Sequence, residues 1–93
     1  MIKIKQNGQK VWVTFTVPSS NVVDEVSLAG EWNDWQEEPM KLKKNGEYSI
    51  TKVLKAGNSF QFGYKSNSGA WMTDEMCPAV PSPFASQNSL LEL

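Results

Sequence analysis

The stretch VSLAGEWNDWQEEP, residues 26–39, decides how the rest of the chain is read. It opens as a strand, with Val26 and Leu28 on one face and Ser27 and Ala29 on the other. At Gly30 it leaves that strand for a polar turn that carries Trp32 and Trp35 on either side of Asn33-Asp34. Asn and Asp support such turns through bonds from side chain to backbone. Two large aromatics after a buried strand must either be covered by the fold or be shown to a ligand. Trp32, close to the strand, is expected to pack over the end of a core. Trp35, inside NDWQEEP with no apolar neighbour, is expected to be exposed.

On both sides of this turn the chain alternates with period two. Upstream, Ile2 and Ile4 alternate with lysines, Asn7-Gly8 signals a hairpin, and Val11, Val13, Phe15 and Val17 share one face. Pro18 and the polar residues after it stop that strand, and residues 22–29 form the next. Downstream, Met40 and Leu42 make a brief strand that ends in the hairpin turn Asn45-Gly46, and Tyr48 and Ile50 restart the alternation. The phase is lost near Lys52-Val53-Leu54, which predicts a bulge or strand end. Phe60, Phe62 and Tyr64 then share a face, Ser66 to Gly69 turn the chain, and Trp71 follows at a Gly-Ala corner. Residues 74–87 hold three prolines and read as irregular, and Leu91 and Leu93 close the chain in a last strand. No segment has helical periodicity. Roughly seven or eight short strands separated by turns predict an all-β chain, an antiparallel β-sandwich of immunoglobulin-like type.

Composition narrows the function. The 93 residues make one domain, residues 1–93, with a net charge of -1 and no basic block, which argues against a nucleic-acid or anionic-membrane partner. No apolar run approaches the roughly 20 residues of a membrane span, and a cytoplasmic protein is the default expectation. Cys77 stands alone, so a disulfide within the chain is excluded, and no metal or other cofactor is expected. Histidine is absent, which removes a Ser-His-Asp or Cys-His site. Catalysis would have to use pairs among ten carboxylates, and most of those fall in turns or on polar faces, so the chain is expected not to be an enzyme.

Exposed indoles beside small polar side chains suit a sugar. The C–H face of a glucose ring lies flat on an aromatic plane, while its hydroxyl rim needs amide, hydroxyl or ammonium partners. Trp35 and Trp71 are the two indoles expected to serve this way, and Trp12, on the outward face of its strand, is expected to pack.

Four blocks, AGEWNDWQEEPM, NGEYSITKVLKAG, FQFGYKSNSGAW and PSPFASQNSLLEL, resemble in that order the family-48 carbohydrate-binding modules. That family includes the glycogen-binding domain of AMP-activated kinase β subunits and the early-set domains that precede isoamylases and glycogen branching enzymes. The resemblance covers residues 22–93 and is nearest to short bacterial proteins made of this domain alone. It implies an early-set sandwich that binds α-1,4-linked glucan, such as glycogen or a maltooligosaccharide, on Trp35 and Trp71. Phe84, Ser86 and Asn88 are implied as the apolar, hydroxyl and amide contacts from the loop before the last strand. Where the family places a basic residue, this chain has Gly63, and Lys65 on the same face is expected to stand in. An alternative is a protein-interaction or regulatory early-set domain whose sugar site has decayed.

Overall fold

The computed structural model describes residues 2–18, 25–66, 69–82 and 87–93. Within them ten strands build two antiparallel sheets: β1 (Ile2–Asn7), β2 (Lys10–Pro18), β3 (Val26–Gly30), β4 (Glu38–Pro39), β5 (Lys41–Leu42), β6 (Glu47–Lys55), β7 (Ser59–Ser66), β8 (Trp71–Met72), β9 (Ala79–Pro81) and β10 (Gln87–Glu92). The brief strand expected at Met40 and Leu42 is β5, and the count exceeds the expected seven or eight because β4, β8 and β9 are only two or three residues long. Pairs that short leave almost no periodic signal.

The first sheet has the order β1-β2-β6-β5 and the second β4-β3-β7-β10-β9, with β8 also paired to β7. Set against each other, these are the A-B-E-D and C-F-G arrangements of an immunoglobulin-like sandwich. The alternation places Val11, Val13, Phe15 and Val17 of β2 inward from one side. Val26, Leu28, Phe62, Tyr64 and Leu91 fill the core from the other. Phe15 meets Phe62 edge-on, with centroids 5.1 Å apart. Burying side chains of this size stabilises a fold by about 1.5–3 kcal/mol each, which is what fixes the register of both sheets.

Two expectations are narrowed. Of the two alternatives near Lys52-Val53-Leu54 the bulge is absent, since β6 pairs with β2 in unbroken register from Pro18↔Glu47 to Lys10↔Lys55, and the strand ends at Lys55. Lys52 looked out of phase because it takes an inward position at the margin of the sandwich. There its ammonium bonds Glu38 of the opposite sheet, with Nζ 2.8 Å from Oε1. Residues 74–87 are also not wholly irregular, because Ala79–Pro81 pairs with the start of β10. The expected strand over residues 22–29 begins at Val26, and residues 22–24 lie outside the described residues.

No helix among the described residues is long and apolar enough to cross a membrane.

Candidate functional site

The turn after β3 is built on a close approach. Gly30 lies under the Trp32 ring, and a methyl placed on it would fall 2.5 Å from Cη2. The ring of Trp32 continues onto Phe15, Phe60 and Phe62 at centroid distances of 5.5, 5.9 and 6.1 Å. Trp32 thus caps the end of the core, as its place in the sequence suggested.

Anchored there, the chain makes one 3-10 turn, Glu31–Asn33. The Trp35 amide then donates back to the Gly30 carbonyl at 2.9 Å, and the Asn33 side-chain amide donates to the Gln36 carbonyl at 3.3 Å. This closure puts Asp34 and Trp35 both in the left-handed region, at φ 60° and 64°. That conformation is rare for a bulky residue and costs of order 1–3 kcal/mol. The strain accompanies exposure: Trp35 keeps 39% of its surface in solvent.

Trp71 reaches the same place from the other side. β8 pairs with the C-terminal end of β7, so Lys65 faces Trp71 across the ladder, while β10 takes the N-terminal part of the same edge. The Trp71 ring folds over Gly63, where a methyl would lie 2.8 Å from Cη2 and closer still to two other ring carbons. Its Nε1 donates to the Gln87 carbonyl at 2.8 Å. The two indoles end up side by side, centroids 6.2 Å apart and planes 51° to one another. Trp71 is half-buried rather than open, because one ring face rests on bare backbone.

The remaining expected site residues divide. Lys65 lies on the same outward face as Trp71, but its Nζ is 3.3 Å from Glu37 Oε2, so it is the half of an exposed ion pair. Asn88 is 5% exposed, and its Nδ2 donates to Gln61 Oε1 at 3.0 Å, which ties β10 to β7. Phe84 and Ser86 lie outside the described residues. At Gly63, the position expected to lack a cation, the space a side chain would take is filled by the Trp71 ring.

Three residues missed in the sequence complete the surface. Glu31 accepts the Gln61 amide at 2.6 Å and ties the Trp turn to β7, and Glu37 holds Lys65. Gln87 offers the carbonyl that orients Trp71. Only Glu37 had a signal, as a carboxylate two residues past Trp35.

The chain matches no protein-family model and has no significant match among curated proteins.

Proposed function

We propose that this chain is a non-catalytic binding module for α-1,4-linked glucan of the glycogen or starch type. The observation that carries the reading is the pair of adjacent indoles, Trp35 held exposed by strained backbone and Trp71 oriented through its Nε1. Nothing in the core requires Trp35 to be aromatic, yet the turn holds it in a costly conformation. Such strain gathers at working sites.

Two rings inclined to one another offer consecutive apolar faces to a chain of sugars that curves between them. The exposed Lys65–Glu37 pair beside them offers an ammonium and a carboxylate to hydroxyl groups. Trp35 stays exposed and Trp71 half-exposed, and two such open stacking surfaces suit binding of micromolar to millimolar strength, roughly -8 to -4 kcal/mol. The resemblance to glycogen-binding modules supplies the α-glucan class.

The test is calorimetric titration with maltoheptaose, run beside Trp35→Ala and Trp71→Ala with the fold of each variant checked by circular dichroism. Saturable binding that weakens by about 2 kcal/mol or more in both variants is expected. Equal binding in a folded Trp35→Ala variant would remove the platform from the argument.

A further inference from the structure

Of the strands that end the two sheets, β4 and β5 are two residues long and β9 is three. β1 is different. It runs six residues from Ile2 to Asn7 at the end of the order β1-β2-β6-β5, and all but Ile2 are exposed. Edges of that length are normally covered, because they present a row of unpaired backbone groups.

The register identifies which groups face outward. Asn7 and Lys10 close the two-residue turn to β2 as a hydrogen-bonded pair. By alternation, Ile2, Ile4 and Gln6 turn their N–H and C=O away from β2 towards the open edge. No backbone bond beyond the β1/β2 ladder is made by these residues among those described.

The side chains along the edge divide by the same period. Ile2 and Ile4 lean into a largely apolar groove shared with Met76, Cys77, Leu90 and Leu91 and bordered by Glu92, in which Ile4 is 53% and Met76 65% exposed. Lys3 and Lys5 lie on the opposite side, where they border a second groove with Trp12, Thr14 and Thr51. Neither lysine pairs with a carboxylate among the described residues. Lys10 and Lys55 extend this positive face along the ladder.

We propose that β1 is a docking edge for an extended polypeptide segment of another protein, in which apolar residues alternate with glutamate or aspartate. The added strand would pair with the free N–H and C=O groups of Ile2, Ile4 and Gln6. Its apolar side chains would enter the Ile2–Ile4 groove, and its carboxylates would meet Lys3 and Lys5. One ligand then satisfies three independent features of the edge: backbone, groove and charge. A nucleic acid or glucan satisfies only one, having no amide ladder to offer. A second copy of β1 is disfavoured because lysines would face lysines across the new pair.

The experiment uses a fluorescein-labelled peptide of alternating valine and glutamate, a valine–lysine repeat and an oligouridylate as probes. Binding is read by anisotropy and by amide shifts in 15N-labelled protein. The valine–glutamate peptide is expected to bind saturably and to shift the β1 amides and the Trp12 indole N–H, with those of Trp35 and Trp71 unmoved. Affinity should fall at least about tenfold in the variant Lys3→Glu/Lys5→Glu and as salt rises from about 50 to about 200 mM. Ile4→Pro, which removes one outward N–H at an edge position that accepts proline, should weaken it without unfolding the chain. Several results would overturn the proposal: no saturation at about millimolar peptide, unchanged binding in the charge-reversed variant, tighter binding of oligouridylate, or self-association as the only effect. Since the maltoheptaose titration reads the opposite sheet, the two tests fail independently.

Discussion

If Trp35 is the proposed sugar platform, stability and function conflict in this one residue. Its φ of 64° suits glycine, which adopts that region without steric cost. Trp35→Gly is therefore expected to hold or raise stability, by up to about 1 kcal/mol in urea unfolding, while abolishing glucan binding. A clear loss of stability would mean that the ring is a packing element and not a platform. Gly63 gives a second, less intuitive expectation. Because the Trp71 ring occupies the space above it, placing a basic residue there as Gly63→Lys should expel the indole and weaken the proposed glucan binding rather than improve it. The overpacking should also cost about 1–3 kcal/mol of stability. Tighter maltoheptaose binding by Gly63→Lys would show that the ring yields easily and that the absent cation matters more.

At the scale of elements, the half-buried strands were legible because one face of each meets a core and the other meets water. Val11 to Val17 and Phe60 to Tyr64 wrote that difference into the sequence directly. The elements that were missed obey other constraints. Lys52 breaks the apolar pattern because a sheet margin lets an ammonium bridge to Glu38, which spacing within β6 cannot reveal. Asn88 is satisfied by Gln61 from a neighbouring strand 27 residues away, so its burial depends on a pairing and not on local chemistry. The Trp turn was the reverse case, since Gly30, two indoles and Asn-Asp announced it locally, although its left-handed backbone did not follow from them. Its dependence on close approach yields a prediction for the whole element. Gly30→Ala drives a methyl into Trp32, which is held on three other sides by Phe15, Phe60 and Phe62. A loss of about 1–3 kcal/mol is expected, together with weaker glucan binding as the turn that carries Trp35 shifts. Thermal unfolding and the titration, measured on one preparation, check both halves.

Across the whole molecule, one buried network that composition concealed contributes to stability at both ends of the pH scale. The Tyr64 hydroxyl donates to Asp74 Oδ2 at 2.7 Å, the Met76 amide to Asp74 Oδ1 at 2.9 Å, and the Asp74 amide to Ser89 Oγ at 2.7 Å. Burial opposes the charge of Asp74, but hydrogen bonds that include those from Tyr64 and Met76 outweigh it, so its pKa lies below the usual carboxylate value. Burial first, and then the bond to Asp74, push the Tyr64 hydroxyl far above its ordinary value. The signs follow from which state holds the proton. Below about pH 4 the unfolded chain protonates Asp74 while the folded chain does not, so this stabilisation falls as pH drops through the folded value. Above about pH 10 the unfolded chain releases the Tyr64 proton while the folded chain keeps it, so stability falls again as pH rises. Tyr64→Phe separates the two limbs. It should cost about 1–3 kcal/mol at neutral pH, because Asp74 loses a buried donor. It should also move the acid limb to higher pH, since one of the bonds that depress Asp74 is gone, and it should flatten the alkaline limb. Urea midpoints recorded from about pH 2 to about pH 11 measure all three effects. An acid limb that stays in place in Tyr64→Phe would mean that the charge of Asp74 is held by its other partners, and that the hydroxyl serves Asp74 only as a packing neighbour.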